Sequence, residues 1–261
     1  MIKSRSKRIL ITNDDGYNAV GLKLLEAIAL SLSDDVWIVA PEAEQSGKGH
    51  ALTLSEPLRF RQVDEKYFAV KGTPTDCVMM ALHRIMPDDQ KPTLLLSGVN
   101  RGCNLAEDMT YSGTISAAME GTICGIPSVA FSQEIARHYP HDLFQTARDH
   151  GLSMLRKLLQ VPWEDGVLMN VNFPLDSEHV RGIKVTSQGF RDDAELFITE
   201  REDVRGDDYY WLGFRRQYGS PKPGTDLAAL QEGYISVTPL HLNLTHEKSL
   251  AAMRDSINKD F

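Results

Sequence analysis

Ile9-Leu10-Ile11-Thr12 runs straight into Asn13-Asp14-Asp15-Gly16. A short apolar run ended by turn-forming residues reads as a buried strand delivered into a turn. The same punctuation recurs along the chain. Leu25, Ile28, Ala29 and Leu32 follow at helical spacing, and Val36–Ala40 is a second apolar run with Pro41 as its stop. Thr73-Pro74-Thr75-Asp76 offers an N-cap, a Pro at the first helical position and an acid three residues after the cap, so a helix starts there, carried by Val78, Leu82 and Ile85. Leu94–Leu96 reads as a strand ending in Ser97-Gly98. A helix runs from about Ser112 to Cys124 with Gly125 as its stop, and Val129–Phe131 is another strand. Ala147, Met154, Leu155 and Leu158 mark a longer helix, and Val167–Phe173 a further strand. Strands alternating with helices predict an α/β fold, a parallel sheet with helices on both faces. In such sheets ligands bind beyond the carboxyl ends of the strands, so the strand-end loops are where chemistry is sought.

The chain has 261 residues, long enough to bury a core without disulfide staples. Lysine and arginine number 28 against 36 acidic residues, a net charge of −8. That balance argues against stable nucleic-acid or membrane-surface binding, but leaves room for small phosphorylated ligands held by local donors or a metal. The odd set Cys77, Cys103 and Cys124, with no C-x-x-C pair, excludes a disulfide framework or zinc knuckle. Lys3, Arg5, Lys7 and Arg8 resemble a signal n-region, but Ile9–Ile11 is too short for an h-region of ~7–15 residues. A cytoplasmic chain is expected.

The pattern changes after Val180. Residues 1–180 form the α/β core. Residues 181–224 read as a strand-and-loop extension, with a charged Arg191–Asp208 stretch, the aromatics Tyr209-Tyr210-Trp211 and a loop-like Gly219–Gly224. Residues 225–261 return with a strand at Tyr234–Thr238 and a last helix capped by Thr245 and carrying Leu250, Met253 and Ile257. Aromatics in a thin extension either form an interface between copies of the chain or pack back on their own domain. His138 and His141 are close in sequence and are expected on a surface turn.

Four segments carry chemistry. At ~5 Å and an effective dielectric of ~20, Asp14 and Asp15 repel by about 3 kcal/mol, and a hard divalent cation relieves that if Gly16 turns the chain so that both converge. Otherwise they are a solvated Asp turn. Ser46, in Glu44-Gln45-Ser46-Gly47, can ligate a metal, bind phosphate or cap a helix. Ser97-Gly98-Val99-Asn100-Arg101-Gly102-Cys103-Asn104 is either a plain loop or a nest in which Asn100 and Asn104 offer amide oxygens and N–H donors. Tyr111-Ser112-Gly113-Thr114 opens a helix of small residues, an N-cap or an anion site. Jointly, Asp14, Asp15, Ser46 and Asn100 make a hard-cation site, and Asn104 with Ser112–Thr114 a phosphate site beside it.

In these motifs the sequence resembles the SurE family of metal-dependent nucleotidases. The matching residues include Asn13-Asp14-Asp15-Gly16, Ser46-Gly47, Gly72–Val78, Ser97-Gly98-Val99-Asn100, Asn104, Tyr111-Ser112-Gly113-Thr114, Ala117–Gly121 and Thr238-Pro239-Leu240. The resemblance implies a Rossmann-like three-layer core with a mostly parallel sheet, and a strand-rich C-terminal extension used for oligomerisation. It implies hydrolysis of nucleoside 5′- and 3′-monophosphates with one divalent cation per subunit, Mg²⁺ or Mn²⁺, and in some relatives polyphosphate trimming. By the matching motifs Asp14, Asp15, Ser46 and Asn100 take the metal positions, and Asn104, Ser112, Gly113 and Thr114 the phosphate. Asp14, Asp15 and Asn104 would be the catalytic groups. Two departures stand out: Tyr17–Val20 replaces a small-residue and Pro pattern, and Ala106 replaces a usual Gly, so that loop needs no positive φ or bends differently. The rival readings are another metal-dependent phosphoesterase and a non-catalytic nucleotide-binding module.

Overall fold

The computed structural model describes residues 8–87, 91–136, 143–191, 194–216 and 218–257. His138 and His141 lie outside them. Nine strands form one sheet and two form a separate hairpin. The elements in chain order are β1 (Ile9–Thr12), α1 (Val20–Leu30), β2 (Val36–Pro41), β3 (Arg59–Asp64), β4 (Tyr67–Lys71), α2 (Pro74–Met80), β5 (Leu94–Arg101), α3 (Gly113–Ile123), β6 (Ser128–Gln133), α4 (Gln145–Leu158), β7 (Val167–Phe173), β8 (Ile183–Val185), β9 (Ala194–Glu202), β10 (Asp208–Arg216), α5 (Asp226–Gln231), β11 (Ile235–His241) and α6 (Glu247–Ile257). The large sheet has the order β3-β4-β2-β1-β5-β6-β7-β11-β8. Its middle, β4 to β7, is parallel; β3 and β11 join antiparallel to their neighbours, and β8 pairs parallel with β11.

The period-2 alternation of strands splits the core in two. Ile9, Ile11, Leu94, Leu96, Val129 and Phe131 face one side with Leu22, Leu25, Met154 and Leu155 of α1 and α4. Leu10, Leu95 and Ala130 face the other with Cys77 and Val78 of α2 and Ile115, Ala117 and Ala118 of α3. The chain leaves β1 toward β2 on one side and returns to β5 on the other. The strand order therefore reverses at β1, and a crevice opens at the carboxyl ends of β1, β2 and β5.

Several boundaries differ from expectation. Pro41 does not stop β2 but is its last paired residue, opposite Val70 of β4. The strand read as ending at Ser97-Gly98 runs on to Arg101, because Ser97 stays paired to both Thr12 and Ala130. Gly98, at φ +129°, then absorbs a register shift between Ser97 and Asn100, which pairs with Ser132 near the carboxyl end of the strand. Helix α2 does open with a capping box between Thr73 and Asp76, but it gives way at Ala81 to a π-helical turn that holds Leu82 and Ile85. Thr245 does not cap the last helix, which starts at Glu247; its N–H instead closes a turn on Asn243 Oδ1 at 2.9 Å.

Candidate active site

Three strand ends and one helix start meet at this crevice. Asn13–Gly16 follows β1, where Asn13 Nδ2 donates to the Gly16 carbonyl at 2.9 Å and Gly16 takes φ +99°. The next loop is tied to it, as the Gln45 N–H donates to the Asp14 carbonyl at 2.8 Å. Asn100 is the last residue but one of β5, and its Nδ2 donates to the Gly102 carbonyl at 2.8 Å, which leaves the amide oxygen as its acceptor. Ser112 caps α3 by accepting the Ile115 N–H at 3.1 Å.

Asp14 is buried, and Thr114 Oγ1 donates to its Oδ1 at 2.5 Å. Gly113 makes that seating possible: a Cβ there would lie 2.8 Å from Asp14 Cβ and 3.0 Å from Oδ2. Burial raises the Asp14 carboxyl above the ordinary carboxylate range, with the Thr114 hydrogen bond opposing. Asp15 is half-buried, and its Oδ2 accepts the Arg101 N–H at 3.2 Å. Burial, then the neighbouring Asp14 charge, pushes it up to about 6. The exposed Ser46 hydroxyl donates to Glu44 at 2.9 Å.

Asp14, Ser46, Asn100, Asn104 and Ser112 line one cleft of about 300 Å³. Asp15 borders an adjoining hollow that shares Ser46 and Arg101 with it. Gly113 and Thr114 stand behind Asp14, buried. These donors are all oxygen, two carboxylates among neutral groups, and both acids are held above their normal range by burial. That set suits a hard divalent cation. Among the described residues no three His, Cys, Asp or Glu side chains cluster as a metal site.

Asn104, expected to bind phosphate, is braced by residues that sequence reasoning missed. Asn104 Nδ2 donates to Ser132 Oγ at 2.8 Å, its carbonyl accepts from Asn170 at 2.8 Å and Asn172 at 3.1 Å, and its N–H donates to Asn172 Oδ1 at 2.8 Å. The signal was available: Asn170 and Asn172 are polar at period 2 in an otherwise apolar buried strand. The loop after Asn104 corrects one expectation. Ala106 does adopt positive φ, +51°. Its N–H donates at 2.8 Å to Asp226, a fully buried carboxylate on α5 that also accepts the Gly189 N–H. Arg191, buried, binds Glu107 at 2.9 Å, Asp108 at 2.8 Å and the Leu105 carbonyl at 3.2 Å. Burial would raise Glu107, but the Arg191 guanidinium outweighs it and holds that carboxyl below the usual range.

With this geometry in view, known proteins give a consistent match. The sequence profile of the family described as "Survival protein SurE" matches residues 9–195. The chain is 51% identical over 251 residues to the 5′-nucleotidase SurE of Hyphomonas neptunium, covering 95% of this chain and 98% of that protein. It is 54% identical over 245 residues to that of Methylorubrum extorquens, covering 93% and 96%. The crystal structure of the SurE protein from Aquifex aeolicus superposes with a TM-score of 0.80 at 40% identity, covering 95% of this chain and 98% of that one.

Proposed function

The chain belongs to the SurE family and is a 5′-nucleotidase; from that premise we propose a division of labour at the cleft. Asp14, Asp15, Ser46 and Asn100 would hold one divalent cation, Mg²⁺ or Mn²⁺, and Asn104 with the start of α3 would bind the phosphate of a nucleoside monophosphate. The observation that carries this reading is the convergence of Asp14, Ser46, Asn100, Asn104 and Ser112 on one cleft. When bound, the cation polarises a phosphoryl oxygen and acidifies a water.

The chain's own groups do the rest. Thr114 holds one oxygen of Asp14 in place, so the carboxylate meets its ligand already oriented. The Thr114 N–H also donates to the Asp14 carboxylate, and the Gly113 N–H, at the first position of α3, has no acceptor within the helix and is offered to the phosphate. The Asn104 amide, braced by Ser132, Asn170 and Asn172, offsets the charge that develops on the phosphate. Since the donors address only the phosphate, 3′-monophosphates and the ends of polyphosphate are further substrates of the same site.

Phosphate release from a panel of nucleoside 5′- and 3′-monophosphates, with Mg²⁺ or Mn²⁺ and with chelator, tests the reading. Release that stops with chelator is the expected result. Turnover of phosphodiesters but not monoesters would make the chain a different phosphoesterase. No release with either metal would leave a nucleotide-binding module.

A further inference from the structure

Residues 42–58 join β2 to β3 with neither helix nor strand, and they carry Ser46. A loop this long without structure of its own is uncommon in a compact domain. Left free, it would have to be ordered each time Ser46 met a cation. It is tied down on both sides of Ser46 instead. Ahead of it, the Gln45 N–H donates to the Asp14 carbonyl at 2.8 Å. Behind it, the Gly49 N–H donates to the Tyr111 carbonyl at 3.1 Å, and His50 Nε2 lies 3.0 Å from Glu120 Oε2 on α3. Gly47 and Gly49, at φ +76° and +55°, let the chain turn tightly between these ties.

The last tie uses a buried carboxylate. The Thr53 N–H donates to Asp76 Oδ1 at 3.0 Å, and Thr53 Oγ1 donates to Asp76 Oδ2 at 2.6 Å. Asp76 is 1% exposed. The capping box of α2 needs only Oδ2, which accepts the Thr73 N–H at 2.8 Å; Oδ1 serves the loop. A carboxylate taken out of water is tolerated only when it is hydrogen-bonded, so the loop and the helix start hold each other. Thr73 strengthens the join, as its Oγ1 donates to the Ala51 carbonyl at 2.7 Å.

We propose that Thr53, anchored on Asp76, is a positioning residue for the cation site: it fixes the far end of the loop so that Ser46 is in place before a cation arrives. The proposal rests on the metal site proposed above. Thr53 touches neither cation nor substrate. It acts through Ser46, because ordering of the loop is completed on folding rather than on binding.

The test titrates metal-free protein with Mn²⁺ by calorimetry in wild type, Thr53→Val, Thr53→Ser, Ser46→Ala and the double variant Ser46→Ala with Thr53→Val. Thr53→Val keeps the side chain's shape and leaves Thr73 and Asp76 to cap α2, but removes the hydroxyl. It should weaken Mn²⁺ binding at least about fivefold, while Thr53→Ser, which keeps the hydroxyl, stays within about twofold of wild type. In the Ser46→Ala background Thr53→Val should cost nothing further, since its effect passes through Ser46. In chelator the Gly49 amide should exchange its hydrogen faster in Thr53→Val than in wild type. A Thr53→Val protein that melts earlier yet binds Mn²⁺ as wild type does would make the tie structural only and overturn the proposal. Losses that add in the double variant, a Thr53→Ser as weak as Thr53→Val, or a Ser46→Ala that binds like wild type would overturn it as well. Wild type that takes up no Mn²⁺ would instead remove the cation site beneath it.

Discussion

Asp14 and Asp15 are poor structural residues, and that is the argument for their function. Burial raises both carboxyls, and the charge of Asp14 adds to the rise of Asp15, to about 6 from an ordinary 3.8. An acid raised on folding adds nothing below its unfolded value, destabilises increasingly as pH rises from about 4 to about 6, and does so fully above that. In chelator, Asp15→Asn should therefore unfold at a higher temperature than wild type above pH 6, with the gap closing by pH 4. Mn²⁺ should reverse the order, and calorimetry across pH with and without metal reads both. Asp14→Asn and Asp15→Asn should each lower kcat by two orders of magnitude or so while the far-ultraviolet spectrum stays native. The sequence reveals these acids because they sit beside each other. It does not reveal that the Thr114 hydroxyl is committed to Asp14, since the two are 100 residues apart. Thr114→Val, of equal shape, should thus weaken metal affinity about tenfold, measured by titration calorimetry. Ala106 is equally opaque: a non-glycine at +51° is held there by Asp226, 120 residues on. Ala106→Gly should raise stability by about 1 kcal/mol in denaturant melts, because glycine takes that conformation without strain.

At the scale of elements, legibility mostly followed burial, although β4, with Phe68, Ala69 and Val70 buried, was missed along with its partner β3. β1, β7 and the cap of α2 announce themselves by apolar runs and by Thr73-Pro74-Thr75-Asp76. β3, Arg59–Asp64, was missed because all six residues are exposed and its partner β4 supplies the reason for its shape. The end of β5 was misplaced because Ser97-Gly98 looks like a turn, yet the strands on either side keep it in register. The hairpin's roots could not be read either, as Arg191 meets Glu107 and Asp108 across more than 80 residues. Asp108 is buried, so removing its partner strands a charge away from water. Arg191→Met should cost about 3 kcal/mol or more in a urea melt, and kcat should fall with it as the Asn104 loop loosens. A cost under about 1 kcal/mol would mean that water already reaches the pair.

Across the whole molecule, the hairpin has more apolar surface than Phe214, which lines the cleft, explains. Ile198, Tyr210, Trp211 and Leu212 are 64%, 58%, 65% and 68% exposed, and Met253 and Ile257 of α6 lie open as well. Single exposed apolar residues are ordinary, but a run of them on one thin ribbon marks an interface. A two-stranded ribbon is marginal in water on its own, so its outer half needs a partner. The chain's net charge of −8 opposes association at long range, so attraction between copies would have to come from this apolar surface. A second copy of the chain is the partner expected from the sequence, as a homodimer or homotetramer. Phe197 and Gly213 face each other across the ribbon, so residues 198–212 can be replaced by a two-residue Asn-Gly turn that keeps the register. The shortened chain retains Arg191 with its partners on the Asn104 loop, Tyr218, whose hydroxyl donates to Glu134 at 2.5 Å, and Phe214 of the cleft. It should sediment as a smaller species than the intact protein at micromolar concentration while still binding Mn²⁺. An intact protein that sediments as a monomer would show that the outer ribbon serves no subunit contact. A shortened chain that keeps the full oligomer would move the interface to α6.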